Sequence, residues 1–132
     1  MRFLSTLAIC CGSRWRHRRQ QPRVVRPSIP RLRGGRLVAG YALMNVEITD
    51  QAAFAEFRDR APAVVEAHGG RFLVRGGAAE IVQGDWTPHR VIVIEFESIE
   101  RAKSWWNSPA HAELRAIADR CSNTTTTIVE GV

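Results

Sequence analysis

The sequence VIVIEF, residues 91–96, is the clearest predicted strand in the chain and decides the fold class. Successive side chains of a strand point to opposite faces, and here both sets are mainly apolar. Both faces should therefore be covered, because exposed apolar surface is unfavourable in water. Helices of the same chain can cover one face, and the sheet of a second copy is the natural cover for the other.

The residues before this strand predict a strand, a helix and a second strand. The sequence YALMNVEI (41–48) alternates as a strand, and Asp50 is placed as the N-cap of a helix over residues 51–67. Pro62 should kink or split that helix, and Gly69 is suited to the left-handed position that ends it.

A second strand is predicted at residues 71–75 (RFLVR). A glycine pair then allows a bend, after which residues 78–83 are expected to continue the strand direction up to a hairpin loop.

The residues after VIVIEF predict a helical region and a last strand. Ser98 is an N-cap, Pro109 interrupts the helix, and residues 110–120 resume it. The β-branched run TTTTIV (124–129) indicates the final strand. The order β-α-β-β-α-β predicts an α+β, ferredoxin-like protomer with a four-stranded antiparallel sheet and its helices on one face.

Charge divides the chain into two unlike parts. Residues 1–40 contain ten arginines, no lysine and no acidic residue, whereas residues 41–132 contain nine basic and thirteen acidic residues. The net charge of +6 therefore hides a folded part with a charge of −4. A mildly acidic domain does not favour nucleic acid as a partner.

We assign residues 1–38 to an arginine-rich, disordered extension and residues 39–132 to the folded domain. The extension has the composition of translated upstream sequence, with Val38 as a candidate initiator, although a secretory signal, a transit peptide and a nucleic-acid-binding arm are alternatives. No apolar run is long enough to span a membrane, and the cysteine spacing favours a reduced, cytoplasmic setting.

Several spaced motifs identify a family resemblance. GGRFLVRGG (69–77), RVIVIEF (90–96) and RAKSWWNSPAH (101–111) resemble the bacterial family known as domain of unknown function 1330. The resemblance implies a protomer that pairs sheet to sheet with a second copy into a dimeric α/β barrel. Related barrels include cofactor-independent monooxygenases, lactone isomerases, haem-degrading enzymes and proteins without known chemistry. His111 departs from the pattern, in which that position usually carries a tyrosine.

Three charged residues near the strands are candidates for a site. Arg75 and Arg90 form a possible anion-binding pair; the alternative is that they neutralise Glu95 or Asp85. Glu95 is the one carboxylate in an apolar strand, where burial would favour a general base and a salt bridge would make it inert.

Aromatic residues and histidines complete the candidate set. His111 is a candidate acid or base, although a half-exposed surface residue is the commoner outcome. Trp105 and Trp106 point about 100° apart on a helix, so one belongs to the core and the other is free to line a pocket or to pack across the dimer. No histidine pair has the spacing of metal ligands, and we expect neither a metal nor another cofactor.

Two functions remain open from the sequence. The first is a cofactor-independent enzyme acting on a small carbonyl or phenolic compound, with Glu95 and His111 as catalytic groups and Arg75, Arg90 and Trp106 binding the substrate. The second is a non-catalytic dimer that binds a small molecule or acts in stress. The first hypothesis requires a pocket of about 300 Å³ or more between the sheet and the helices.

Overall fold

The computed structural model describes residues 32–33 and 36–132 of the chain. Leu32–Arg33 pairs with Arg36–Leu37 in a short antiparallel ribbon, so part of the predicted extension has regular backbone structure. Val38, the candidate initiator, is buried. The remainder of the segment predicted to be disordered lies outside the described residues.

The described part of the domain consists of four strands and three helices. They are β1 (Gly40–Ile48), α1 (Gln51–Ala67), β2 (Arg71–Arg75), β3 (Arg90–Phe96), α2 (Ile99–Trp106), α3 (Pro109–Cys121) and β4 (Ser122–Glu130). This order confirms the predicted α+β, ferredoxin-like class. The second helical region is divided at Pro109, as its sequence predicts, because proline is well tolerated in the first turn of a helix.

The four strands form one antiparallel sheet in the order β2-β3-β1-β4. β1 lies in the middle and pairs with β3 on one side and β4 on the other. Even-numbered residues of β1 and β3 face the helices and are buried, apart from the half-buried Ile48 and Arg90 at the strand ends. Apolar side chains of the helices cover this face, namely Phe54, Phe57, Ala61, Val65, Ala102, Trp105, Leu114, Ile117 and Ala118.

The opposite face of the sheet has no covering layer among the described residues. It carries the odd-numbered side chains of β1 and β3, and Leu43 and Val74 expose 39% and 40% of their surface there. A sheet with one apolar face open to water is the arrangement that a second sheet would complete.

The local predictions for the first half of the domain have mixed outcomes. Asp50 caps α1 by accepting hydrogen bonds from the N–H groups of Ala52 and Ala53, and Gly69 has a φ of 75°. Pro62 does not divide the helix, which continues to Ala67.

The predicted strand at residues 78–83 is wrong. Gly76 donates its N–H to the Val91 carbonyl over 2.8 Å, and its φ of 74° then turns the chain away from β3. That turn leaves the next residues without a strand partner. Within the described residues, no helix is long and apolar enough to cross a membrane.

Candidate functional site

A narrow apolar cleft lies between the helix-covered face of the sheet and α1 to α3. The cleft has about 450 Å³ of empty space up to its open mouth. Because the cleft is narrow, the centre of a water molecule can occupy only about 30 Å³ of this space. The wall is formed mainly by Met44, Phe54, Phe57, Phe72, Ile92 and Leu114. In this conformation the volume accessible to water is smaller than the roughly 300 Å³ expected of a ligand pocket. A ligand larger than water therefore has to widen the cleft.

Three arginines line the solvent-exposed side of this cleft: Arg58 on α1, Arg75 at the end of β2 and Arg90 at the start of β3. Backbone carbonyls hold two of them. Arg75 Nη2 donates to the Arg58 carbonyl over 3.0 Å, and Arg90 Nη2 donates to the Arg75 carbonyl over 3.2 Å. The Arg75 guanidinium also lies 5.0 Å from the centre of the Phe72 ring. These contacts orient the guanidinium groups and leave other N–H donors free.

The three arginines form few salt bridges to acidic residues. No carboxylate lies within 4.0 Å of the Arg75 or Arg90 side chains in the described part of the chain, and Arg58 contacts only the exposed, adjacent Asp59. Within the described residues, neither arginine forms the salt bridge to Glu95 or Asp85 that the alternative expects. Three guanidinium groups beside an apolar cleft form an arrangement suited to an anion.

Glu95 is held on the other side of the sheet. Arg71 Nη2 donates to Glu95 Oε1 over 2.6 Å, and the Tyr41 hydroxyl donates to Glu95 Oε2 over 3.3 Å. Because Ile94 and Phe96 face the helices, Glu95 points to the uncovered face. The structure therefore does not bring Glu95 together with His111, Arg75 and Arg90, as the shared-pocket hypothesis requires.

His111 is the polar residue at the buried side of the cleft. It is 1% exposed, and neither ring nitrogen has a hydrogen-bond partner among the described residues. Its ring centre lies 4.1 Å from that of Trp105 and 4.9 Å from that of Trp106. Ser108 fixes the backbone, since its hydroxyl accepts a hydrogen bond from the His111 N–H over 3.2 Å.

The surroundings of His111 keep its imidazole neutral. Burial lowers its pKa from 6.5 to about 4, and electrostatic interactions with Arg115 and His68 act in the same direction. At neutral pH the ring therefore offers one donor and one acceptor. No group of three or more His, Cys, Asp or Glu side chains in residues 38–132 is placed to hold a metal ion.

Trp105 and Trp106 have different environments, as their spacing predicts. Trp105 is 2% exposed and lines the cleft, and its buried indole Nε1–H has no partner in the described structure. Trp106 instead lines a neighbouring cavity with about 370 Å³ of empty space, and Met44, Phe57 and His111 line both this cavity and the cleft. The Arg115 guanidinium lies 4.7 Å from the centre of the Trp106 ring. Trp106 is therefore separated from the three arginines.

Sequence patterns did not identify two members of the site. Arg58 belongs to the exposed face of an amphipathic helix and has no sequence feature that distinguishes it from a solvated arginine. Trp105 is not among the predicted substrate-binding residues, and its free indole N–H becomes visible only when its neighbours are known. His111, Arg75 and Arg90 were identified, and they do line one cleft.

The folded domain matches a protein-family model. Residues 39–132 match the family described as Domain of unknown function (DUF1330). No curated protein of known function is similar to the chain at a significant level.

Solved structures with a similar fold are found as well. RPA0582, a protein of unknown function from Rhodopseudomonas palustris, superposes with a TM-score of 0.59 at 15% identity, covering 72% of this chain and 83% of that chain. Its methylated form gives 0.59 at 14% identity, with 72% and 82% covered. A conserved protein from Bacteroides thetaiotaomicron, described as a possible oxidoreductase, has a TM-score of 0.44 at 10% identity over 70% and 96% of the two chains.

Proposed function

The chain belongs to the DUF1330 family, whose description assigns no activity, and we propose that it binds a small organic acid with an apolar body. The observation that carries this proposal is the cluster of Arg58, Arg75 and Arg90 along an otherwise apolar cleft. The carboxylate is received by the guanidinium groups, and the body enters between the sheet and the helices.

Charge and burial explain why an acid fits better than a neutral or cationic ligand. Charge-assisted hydrogen bonds from arginine to a carboxylate are shorter and stronger than bonds between neutral groups. A cation would be repelled by three guanidinium groups. A fully polar acid would leave the Phe54, Phe57 and Leu114 surfaces without apolar contacts.

The cleft also limits the shape of the ligand. The volume accessible to water is only about 30 Å³, so a flat ring or an unbranched chain is accommodated more easily than a branched body. Among the residues that line the cleft, Arg58 and Arg75 are exposed. Opening of the cleft at this side is part of the proposal.

Titration calorimetry with phenylacetate and hexanoate tests the proposal. Arg75→Gln should weaken binding of both acids about tenfold, because it removes a charge-assisted contact. Arg71→Gln is the matched control, since Arg71 lies on the same strand and faces the other side of the sheet. The proposal is contradicted if neither acid binds the wild-type chain, or if the two variants weaken binding equally.

The hypothesis of a cofactor-independent enzyme acting on a small carbonyl or phenolic compound has less support. A general base is most efficient when its pKa lies near the working pH, and the pKa of His111 is about 4. Glu95 lies across the sheet and is paired with Arg71. Binding without turnover is therefore the better-supported function.

We also propose that the protein is a homodimer formed through the uncovered face of the sheet. Support comes from the apolar side chains on that face, including Leu43, Val74 and Val93. A second copy would remove these side chains from water, which benefits a domain of this size because a small domain buries a limited fraction of its surface. The Tyr41–Glu95–Arg71 cluster would then lie at the interface.

Sedimentation velocity tests the dimer. Leu43→Glu places a charge in the centre of the proposed interface and should shift the dimer to monomer at micromolar concentration. Glu66→Lys on the exposed surface of α1 is the control and should leave the sedimentation coefficient unchanged. A wild-type chain that sediments as a monomer at high concentration would refute the proposal.

A further inference from the structure

Two buried polar groups at the inner side of the cleft lack partners in the described structure. The His111 imidazole has no hydrogen bond at Nδ1 or Nε2, and the Trp105 indole has none at Nε1. Both residues line the cleft. A buried donor or acceptor without a partner costs about 1–3 kcal/mol, so native proteins rarely retain one without a compensating role.

A partner that can both accept and donate can bind the two groups in either tautomer of the imidazole. The indole N–H is a donor only, whereas the neutral imidazole offers one donor and one acceptor. A hydroxyl group matches this pair, because its oxygen accepts a hydrogen bond while its hydrogen is donated to the imidazole nitrogen. A carbonyl oxygen accepts only, so it fits just one of the two tautomers, and a methyl group neither accepts nor donates.

Several contacts hold the side chains at the same end of the cleft, which favours recognition of a defined group. The His111 ring contacts Trp105 and Trp106, and its backbone N–H is fixed by the Ser108 hydroxyl. Ser108 in turn donates its hydroxyl to the Trp105 carbonyl over 2.8 Å. A side chain held on this many sides keeps its nitrogens in place before a ligand arrives.

We infer that the ligand is a hydroxy acid, whose hydroxyl group, remote from the carboxylate, is bound by His111 and Trp105. This inference rests on the proposed function, since it assumes that the carboxylate lies among the arginines. It adds a specificity determinant at the opposite end of the ligand. Such a site discriminates against the analogue without the hydroxyl, because that analogue leaves both buried groups without partners.

Calorimetry with matched pairs of acids tests the inference. The pairs are phenylacetate with 4-hydroxyphenylacetate and hexanoate with 6-hydroxyhexanoate, which differ within each pair by one hydroxyl. In at least one pair the wild-type chain should bind the hydroxylated acid about five- to tenfold more tightly. His111→Phe should abolish that preference, because it removes the imidazole nitrogen that binds the hydroxyl.

The outcomes separate the inference from the proposed function. Binding of the plain acids with no gain from the hydroxyl overturns the inference and leaves acid binding intact. A preference that persists in His111→Phe also overturns it. Failure of every acid to bind overturns the proposed function and the inference together.

A measurement on the wild-type chain tests the inference even if the His111→Phe variant does not fold. The imidazole ¹⁵N resonances of His111 should shift on saturation with the hydroxylated acid and shift less with its partner acid. The exposed His89 is an internal control whose resonances should not respond. Equal responses to both acids would contradict the inference.

Discussion

The Trp105 indole and the His111 imidazole lie in the core with their ring centres 4.1 Å apart and their planes at 44°. The contact joins the end of α2 to the beginning of α3, across the break at Pro109. It places a titratable ring among apolar side chains, where its charged form is unfavourable. This contact has consequences for both stability and ligand binding.

The stability of the protein should depend on pH through His111. Its pKa is about 4 in the folded state and 6.5 when exposed, so the unfolded chain binds the proton first as the pH falls. The free energy of unfolding should therefore fall between about pH 6.5 and pH 4, by up to roughly 3 kcal/mol, and this contribution should level off below that range.

Urea denaturation at intervals across this pH range provides the measurement. His111→Phe and His111→Tyr remove the titrating group while retaining an aromatic ring, and their unfolding free energies should vary less with pH. A wild-type profile that matches both variants would mean that His111 titrates normally in the folded protein.

Gly76 should resist substitution, unlike its neighbour Gly77. Gly76 has a φ of 74°, and a Cβ atom there would lie 2.6 Å from the Arg90 guanidinium carbon, whereas a Cβ on Gly77 meets no atom within 4 Å. Gly76→Ala should cost about 1–2 kcal/mol of stability, the usual penalty of left-handed backbone for alanine. Because Arg90 must also move, binding of phenylacetate should weaken.

Thermal denaturation and calorimetry of the two alanine variants check this prediction. Gly77→Ala should stay within about 0.5 kcal/mol of the wild type in stability, as is usual away from strained positions. Similar losses in both variants would show that the special conformation of Gly76 is not the cause.

Loss of the Ser108 hydroxyl should destabilise the connection between α2 and α3. The hydroxyl accepts from the His111 N–H and donates to the Trp105 carbonyl. Ser108→Ala removes an N-cap and should cost about 1 kcal/mol. Ser108→Asp keeps an N-cap acceptor, and denaturant titration should rank it between the wild type and the alanine variant.

Space inside the cleft should limit the affinity for bulky acids. Leu114→Ala deletes apolar atoms from the cleft wall and should destabilise the protein by about 2–5 kcal/mol. The added volume should nevertheless tighten binding of phenylacetate relative to acetate. Ile117→Ala, a buried change on the same helix outside the cleft lining, should destabilise without that gain in calorimetry.

The fold was predictable because several independent patterns agree. The alternation in residues 41–48, the N-caps Asp50 and Ser98, and the break at Pro109 each specify a boundary or an element that the structure contains. The strand predicted at residues 78–83 is absent from the structure. Its residues suit a strand, but the backbone turn at Gly76 directs them away from β3, with which they would pair.

The site was only partly predictable, for two physical reasons. Both faces of VIVIEF are apolar, so the alternation cannot tell which set faces the helices, and Glu95 was assigned to the wrong side. The burial of His111 depends on how α3 packs against α2, and no local pattern specifies that packing. Arg75 and Arg90 could be predicted because one ends a strand and the other begins the next, where two guanidinium groups can receive one anion.

The central position of β1 makes folding of the domain depend on its last strand. Residues 40–48 come first in the sheet by sequence, yet they pair along their whole length with residues 122–130. Contacts between such distant segments form slowly, since a long loop must close before they contribute. A growing chain that has not yet supplied β4 presents β1 as an unprotected edge, open to pairing with other chains. Synthesis of the final nine-residue strand is therefore the step after which aggregation through that edge is prevented.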